Sequence, residues 1–379
     1  MKPRLINVLT NEEISIYNIK GPHSENLKRF IVSTEEMRNI LNHPEIVGYD
    51  FRKGINQAIV KILKNFPVKE VVEGLEDTKC NCLTFLRGGL NFSISDALGE
   101  AYGFKKQTTS YMTSQRDKDK YGRWFIKDAQ YQKFVFDNNS TIFCGDIVAT
   151  GSTIKNGLDC LLNNAKNSGK KIKNVVFFTI GCHKIEKILE DFYKECKKAF
   201  KSFENIVIIY FEGKFHLADS KTDVEIKIQG TDLMRRGALM APEFLLSQYD
   251  SIESCLEECV IYDGGSRSFE VNKYSDEVIR YWLKVRRLAN HGMTLRDYLQ
   301  ERFPDAILAG DGMLDRMKKV YENCDEELLK KIIQKQSDRW SNEDFINNSD
   351  SMALKNLAMK RVEEMEFMPV KYSLSLEEK

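Results

Sequence analysis

The sequence STIFCGDIVATGST occupies residues 140–153 and decides the fold of the central part of the chain. Its first five residues are predicted to form a strand. After Asp146 and two aliphatic residues, the chain turns through Ala149–Thr153. Residues 152–167 then carry apolar side chains at helical spacing. An apolar strand, a glycine turn and an amphipathic helix in this order predict a strand–turn–helix junction.

Such a junction is suited to binding an anion. Gly151 allows a tight turn, and the N–H groups of the turn and of the first helical turn converge on one point. The hydroxyls of Thr150, Ser152 and Thr153 could donate to the same anion. Asp146 could accept from the hydroxyls of an attached sugar or help to hold a divalent ion. We therefore predict a phosphate-monoester site; the alternative is that Ser152 only caps the helix.

Three more apolar segments, at residues 81–86, 174–180 and 205–211, alternate with predicted helices at 93–102, 152–167 and 184–202. Continuous apolar strands that alternate with helices predict an α/β fold with a parallel sheet flanked by helices.

We place this α/β core at residues 68–220, after an N-terminal extension (1–67) whose first 45 residues show no clear pattern. Residues 221–379 form a variable, mainly helical C-terminal region. Within it, 224–228 alternate like an edge strand. Residues 230–237 are predicted to begin a helix, with Arg235 and Arg236 in solvent.

The segment Gly145–Thr153 resembles the motif with which type I phosphoribosyltransferases bind phosphoribosyl pyrophosphate (PRPP). In that family two acidic residues, which hold the ribose 2′- and 3′-hydroxyls, precede two aliphatic residues and a T-G-[GS]-[ST] turn. Here Gly145 stands at the first acidic position, which puts one of those contacts in doubt. The resemblance implies that Asp146 is catalytic and that the 5′-phosphate is bound by Ala149, Thr150, Gly151, Ser152 and Thr153.

A second segment, Leu86–Gly89, resembles the pyrophosphate loop of the same family, which often contains a cis peptide bond. Arg87 would be catalytic by offering a planar donor pair to pyrophosphate oxygens, and Gly88 and Gly89 would allow close approach of the backbone. Alone, this Arg-Gly-Gly sequence fits a plain turn equally well. Its place before the PRPP motif strengthens the resemblance.

The family's mobile loop, which closes over PRPP, corresponds to residues 108–133. This polar segment carries Arg116, Lys118, Lys120 and Arg123, and it is equally compatible with a solvated β-hairpin. Candidates for contact with the acceptor are His183 and His216, which follow the third and fourth predicted strands. For either residue, an ordinary loop histidine is the alternative.

The composition excludes several classes of protein. Of the 379 residues, 42% are hydrophobic and 11% aromatic, too many for a disordered chain. The formal net charge is +1, so no overall field marks a binder of nucleic acid or membranes. No apolar run is long enough for a membrane span, and we find no secretory signal. Nine cysteines without a CxxC pair and five histidines predict neither a zinc site nor a disulfide framework. We expect a reduced, cytoplasmic protein.

The resemblance implies an enzyme that uses PRPP and Mg²⁺, the ion being held mainly by substrate oxygens and in part by Asp146. The acceptor would be a base, another small molecule or a nucleotide. We also expect a homo-oligomer. Two alternatives remain open: a regulator that senses PRPP or nucleotides and binds a protein or nucleic acid through its flanking regions, and a relic with an empty phosphate site.

Overall fold

The computed structural model describes residues 3–21, 26–113, 115–118, 124–128, 131–258, 260–261, 263–303 and 312–377. The chain divides into two compact units. The first comprises Met1–Met37 and Arg52–Lys214, and the second comprises Arg38–Phe51 and Phe215–Lys379.

The elements up to residue 217 are, in chain order, β1 (Arg4–Thr10), β2 (Ile14–Lys20), β3 (Leu27–Thr34), α1 (Glu35–Asn42), α2 (Gly48–Lys64), α3 (Lys69–Val72), β4 (Cys80–Leu86), α4 (Ile94–Tyr102), β5 (Thr108–Thr113), β6 (Gln115–Lys118), β7 (Trp124–Asp128), β8 (Gln132–Lys133), β9 (Ser140–Val148), α5 (Ser152–Asn167), β10 (Ile172–Cys182), α6 (Lys184–Ala199) and β11 (Asn205–Leu217). Short 3₁₀ turns at Asp77–Lys79 and Gly88–Phe92 flank β4.

A large sheet runs through the first unit in the order β1-β2-β3-β11-β10-β9-β4-β5-β8. The pairs β3/β11, β10/β9, β9/β4 and β4/β5 are parallel, and β1/β2, β2/β3 and β5/β8 are antiparallel. This mostly parallel sheet with flanking helices confirms the predicted fold class.

The apolar pattern of the sequence explains why the core lies where it does. Nearly every residue of β10 is buried, as expected for a strand covered on both faces. On α5 the apolar residues at helical spacing are all buried: Ile154, Leu158, Leu161, Leu162 and Ala165. The carboxyl end of β9 and the start of α5 are therefore held by a buried neighbouring strand and a buried helix face.

The remaining elements are β12 (Leu233–Met240), α7 (Pro242–Ser247), α8 (Glu253–Leu256), α9 (Gly264–Phe269), α10 (Val271–Asn290), α11 (Leu295–Arg302), α12 (Met313–Val320), β13 (Tyr321–Glu322), α13 (Glu326–Ser341), α14 (Glu343–Asn347) and α15 (Ser351–Glu377). The C-terminal region is therefore mainly helical, as predicted. Along the described part of the chain, no helix is both long and apolar enough to cross a lipid bilayer.

Two smaller predictions for this region are wrong. Residues 224–228 form no strand, and 230–237 lead into β12 instead of a helix. Arg235 is buried and donates to the carbonyl of Leu41 at 2.6 Å, while half-buried Arg236 donates to the carbonyl of Glu301 at 2.7 Å. Each guanidinium group donates to a backbone carbonyl, so charge alone did not predict exposure.

Candidate functional site

The candidate site is built around the carboxyl end of β9. Asp146 is half-buried there, and its Oδ1 accepts a 2.9 Å hydrogen bond from the amide of Ile147. β10 supports this strand end: Thr179 Oγ1 donates to the carbonyl of Asp146 at 2.9 Å, and Cys182 Sγ donates to the carbonyl of Ala149 at 3.3 Å. Burial raises the pKa of the Cys182 thiol, which preserves the S–H proton that this bond needs. The backbone is thus anchored on both sides of the aliphatic pair.

Gly151 provides the turn from β9 into α5. Its φ of 73° lies in the left-handed region that other residues rarely adopt, and a Cβ atom there would lie 2.4 Å from Ile188 Cδ1 on α6. The first helical hydrogen bond runs from the amide of Lys155 to the carbonyl of Gly151, at 2.9 Å. The N–H groups of residues 152–154 therefore precede the hydrogen-bonded ladder of a 16-residue helix. They form the positive end of its dipole, a geometry suited to an anion.

The predicted phosphate-binding side chains surround this helix start. Thr150 and Ser152 are half-buried, with their hydroxyl oxygens 3.3 Å apart, and Thr153 is also half-buried. Thr150 and Ser152 also line a cleft of about 490 Å³ beside α5 and α6, whose lining includes Lys155 and Lys184. The same cleft is lined by three lysines and three acidic residues, and Lys155 pairs with Asp159 at 3.1 Å. The hydroxyl donors and the helix start, and not a net charge, therefore favour a phosphate group at this place.

The Arg87–Gly89 turn packs directly against the end of β9. The Leu86–Arg87 peptide bond is cis, and Arg87 is exposed at the start of the 3₁₀ turn. A Cβ atom at Gly88 would lie 2.5 Å from Asp146 Oδ1. A Cβ atom at Gly89 would lie 3.2 Å from the carbonyl oxygen of Gly145. The turn after β4 and the end of β9 therefore meet although they are far apart in the sequence. Gly88 and Gly89 allow this close approach because they have no side chain.

The departure from the family motif at Gly145 has a local physical cause. A Cβ atom there would lie 2.5 Å from Cδ1 and 2.7 Å from Cγ of Phe92, whose ring is buried. The φ angle of Gly145 is not positive, so its backbone conformation does not require glycine. The sequence analysis did not predict this role for Phe92, because no local pattern links two residues so far apart in the chain.

An ion-pair network that the sequence did not reveal fixes the start of α6. Buried Glu186, in the first turn of α6, accepts from Arg29 at 3.1 Å and from Lys214 at 3.0 Å, which places strands β3 and β11 around it. Tyr210 also donates to Glu186, at 3.3 Å, and burial followed by the nearby carboxylate raises the pKa of that phenol well above its usual value. Because Ile188 of the same helix covers Gly151, this network supports the phosphate turn indirectly.

The two histidines predicted to contact the acceptor lie after β10 and near the end of β11. His183 is exposed and directly precedes α6. His216 belongs to the second unit, is half-buried and lies 3.0 Å from Thr222 Oγ1 through its Nε2 atom.

In the segment compared with the mobile loop, β6 and β7 pair antiparallel, which agrees with the β-hairpin interpretation. The backbones of Arg116 and Lys118 lie in β6, whereas Lys120 and Arg123 lie outside the described residues.

Comparison with known proteins gives no match to a protein-family model and none to a curated protein. Among solved structures, similar chains include a hypoxanthine phosphoribosyltransferase from Staphylococcus aureus, with 18% identity, a TM-score of 0.23 and coverage of 33% of this chain and 64% of that one. A hypoxanthine-guanine phosphoribosyltransferase from Bacillus anthracis is also 18% identical, with a TM-score of 0.22 and coverage of 34% and 66%.

A hypothetical protein from Neisseria gonorrhoeae, solved with bound ppGpp, is 12% identical, with a TM-score of 0.23 and coverage of 35% and 68%. The chain thus spans just under two thirds of the length of the two enzymes. Each of these three similarities covers about a third of this chain.

Proposed function

We propose that this protein is a phosphoribosyltransferase that uses PRPP and Mg²⁺ and transfers the phosphoribosyl group to a nitrogen of a base or a related acceptor. The observation that carries the proposal is the contact of the Arg87–Gly89 turn with Asp146, beside the start of α5. The turn and the Asp146 carboxylate meet at the carboxyl ends of β4 and β9, beside the start of α5. This arrangement suits a ligand with a phosphate, a sugar and a pyrophosphate.

In the proposed reaction the acceptor nitrogen forms a bond to C1 of the ribose while the C1–oxygen bond to pyrophosphate breaks. The electron pair of that bond leaves with pyrophosphate, and the nitrogen loses its proton to water. The transition state would resemble an oxocarbenium ion, as in glycoside chemistry. The protein would act chiefly by positioning and by electrostatic stabilisation.

Each part of the site has a distinct task in this scheme. The amides of residues 152–154 and the Thr150 and Ser152 hydroxyls would anchor the 5′-phosphate. Asp146 would accept from ribose hydroxyls and orient C1. Arg87 would stabilise the negative charge that develops on the leaving pyrophosphate.

The donor set fits Mg²⁺ only if the substrate supplies most of the ligands. Within the described ranges, no group of three or more His, Cys, Asp or Glu side chains could hold a metal ion. Mg²⁺ is commonly bound through one or two carboxylates together with substrate phosphates, and Asp146 could serve as such a carboxylate. When bound, the ion would neutralise charge on the pyrophosphate.

The test is a measurement of PRPP binding and of pyrophosphate release with a panel of bases and nucleotides as acceptors. We expect Asp146→Asn to fold normally and to lose about a hundredfold or more in turnover, the scale set by about 3 kcal/mol of lost transition-state stabilisation. The matched control is Asp137→Asn, an exposed residue before the amino end of β9, where turnover should stay unchanged. Equal turnover of the wild type and Asp146→Asn would contradict the assignment.

A second candidate function is a regulator that binds PRPP or a nucleotide without turnover and acts on a protein or nucleic acid. The glycine at position 145, where the family has an acid, favours it. PRPP binding without pyrophosphate release on any acceptor would support this candidate over the enzyme. Failure of every phosphorylated ligand to bind would instead support the relic.

A further inference from the structure

The edge of the sheet opposite the candidate site is formed by the amino ends of five neighbouring strands. β5, β4, β9 and β10 are parallel neighbours, so their first residues meet at one edge, and β11 lies beside β10. The segments that lead into these strands contain ten lysines, no arginine and five acidic residues. We call their surface the amino edge, and its segments are residues 76–79, 103–107, 137–139, 166–173 and 195–204.

Contacts between the first three segments show that they form one surface. Asp77 Oδ2 accepts from the amide of Lys105 at 3.3 Å and from that of Lys106 at 3.1 Å, which joins the segments before β4 and β5. Lys79 Nζ lies 3.6 Å from Asp137 Oδ2, which adds the segment before β9. The lysine-bearing turns before β4 and β5 are therefore side by side.

The other two segments continue this surface. The amide of Lys171 donates to Asn138 Oδ1 at 2.9 Å, so the segment before β10 adjoins the one before β9. The amide of Glu204 donates to the carbonyl of Lys173 at 2.7 Å, which adds the segment before β11. Neighbouring strands are about 4.8 Å apart, so five strand ends spread the lysines over about 19 Å.

Half of these lysines are exposed and form no ion pair with any residue that the structure describes. They are Lys105, Lys106, Lys166, Lys171 and Lys201. Three of the five acids are already occupied, because Asp137, Glu195 and Glu204 each pair with another lysine of the same edge. The excess of positive charge is therefore available to a partner.

The chemistry of the amino edge fits a regular polyanion. Its segments, all within the described ranges, contain no large hydrophobic side chain that is exposed. Surfaces that bind membranes insert such side chains, and proteins that bind single-stranded nucleic acid stack the bases on exposed aromatic rings. A duplex instead presents its phosphates outward at about one charge per 1.7 Å of axis, so the amino edge would face roughly eleven charges.

We propose that the amino edge binds the phosphate backbone of a nucleic-acid duplex without reading its sequence. Lysine is a flexible point charge that suits a phosphate in any orientation. Four of the five exposed lysines lie on loops, whereas groove reading commonly uses a helix or a two-stranded ribbon. The proposal does not depend on the proposed function, because the candidate site lies at the carboxyl ends of these strands.

The test is fluorescence anisotropy of the full chain with a labelled DNA duplex of about 20 base pairs and with an RNA duplex of the same sequence. Each phosphate contact contributes about −0.9 to the slope of log K against log[salt]. Five contacts give a slope of about −4.5, so affinity should fall about 500-fold between about 50 and 200 mM salt. The two duplexes should bind within about tenfold of each other, because both are held through phosphates.

A pair of charge variants locates the surface. Lys166→Gln combined with Lys171→Gln removes two contacts, so the slope should change to about −2.7 and binding at about 50 mM salt should weaken about tenfold or more. Lys331→Gln combined with Lys335→Gln is the matched control. It removes the same charge from exposed positions on α13 of the second unit and should leave the slope unchanged.

Several outcomes would overturn the proposal. No duplex binding at about 50 mM salt, or a slope shallower than about −2, would show that the lysines do not meet phosphates together. Equal weakening by the control pair would place the binding elsewhere. Tighter binding of the single strand, or binding only to phosphatidylserine vesicles, would assign the surface to another partner. PRPP binding should be unchanged by Lys166→Gln with Lys171→Gln, so this proposal and the proposed function can fail separately.

Discussion

At the scale of single residues, glycines decide what can approach the end of β9. Gly88, Gly89 and Gly145 each leave room for a named neighbour, and any side chain at Gly88 or Gly145 would overlap one. The residue allowed at position 145 therefore depends on Phe92, whose ring fills the adjacent space. The motif alone does not predict this contact.

This coupling predicts the stability of a pair of variants. Gly145→Ala should destabilise the protein by about 1–3 kcal/mol because its new methyl group overlaps the Phe92 ring. Phe92→Ala should cost about 3–5 kcal/mol through loss of a buried ring. The double variant should cost less than the sum of the two, since removal of the ring relieves the overlap. Urea denaturation of all four proteins measures the coupling, and strictly additive losses would argue against the contact.

A buried acid in the second unit predicts a dependence of stability on pH. Burial, and then the nearby Asp232 carboxylate, raise the pKa of Glu258 to about 7 from its ordinary value of 4.5. Its Oε1 atom has no hydrogen-bond partner among the residues that the structure describes. The folded state therefore holds the Glu258 proton more tightly than the unfolded chain. The resulting stability is complete below about pH 4.5 and is lost as the pH rises through about 7.

Glu258→Gln removes this titration and keeps the shape of the side chain. We expect its melting temperature to exceed that of the wild type at pH 8, with the difference shrinking towards pH 5. Fluorescence is a suitable signal because two of the three tryptophans, Trp282 and Trp340, belong to the second unit. Glu343→Gln, at an exposed position of α14, is the control and should show no such trend. A difference in melting temperature that is constant from pH 5 to pH 8 would refute the account.

At the scale of elements, the packing of α5 on the sheet depends on a glycine inside the helix. A Cβ atom at Gly157 would lie 2.3 Å from Phe85 Cε1 on β4 and 2.5 Å from Met112 Sδ on β5. Alanine is the better helix former by about 1 kcal/mol, so propensity and packing make opposite predictions for Gly157→Ala. We expect packing to win, with a net loss of about 1–2 kcal/mol after overpacking costs of up to about 3 kcal/mol.

Gly99 on α4 provides the matched control for this substitution. The nearest atom to a Cβ there is the carbonyl oxygen of Phe104 at 3.5 Å, an ordinary contact. Gly99→Ala should therefore be neutral or stabilising by up to about 1 kcal/mol. Thermal unfolding of both variants decides the matter. Stabilisation by Gly157→Ala would show that α5 does not lie against β4 and β5 in this way.

The sequence predicted those helices and strands whose buried apolar residues recur at a regular spacing. Residues 152–167 were predicted as a helix, and α5 has those bounds. The strands near 81, 140, 174 and 205 are present, although β9–β11 extend further, because polar and glycine residues at their carboxyl ends conceal the strand pattern.

The three strands of the N-terminal meander were missed for a related reason. β1 is largely half-exposed, so polar residues interrupt its apolar pattern. β3, by contrast, is buried and still carries Lys28 and Arg29, and Arg29 is neutralised by Glu186, which lies far along the chain. Partners distant in sequence, such as Phe92 for Gly145, likewise could not be found from local pattern.

At the scale of the whole molecule, the predicted site lies entirely within the first unit, because residues 86–92 and 145–153 both belong to it. A ligand that binds the site should therefore stabilise that unit against unfolding. A ligand that binds only the folded state stabilises it by about 2.7 kcal/mol at 100 times its dissociation constant. For a cooperative unit of about 150–250 residues, each kcal/mol raises the melting temperature by about 2–4 °C. We therefore expect a shift of several degrees with PRPP and Mg²⁺.

This last prediction also identifies the part of the ligand that matters. Most of the affinity should come from the 5′-phosphate, because the start of α5 offers converging N–H donors and the positive end of a helix dipole. Ribose 5-phosphate should keep part of the shift, and free ribose should give none. Thr150→Val combined with Ser152→Ala should reduce the shift for every phosphorylated ligand alike, while Asp137→Asn, at the opposite end of β9, should leave it unchanged. A shift with free ribose, or one that survives the loss of both hydroxyls undiminished, would mean that the ligand binds elsewhere than the turn between β9 and α5.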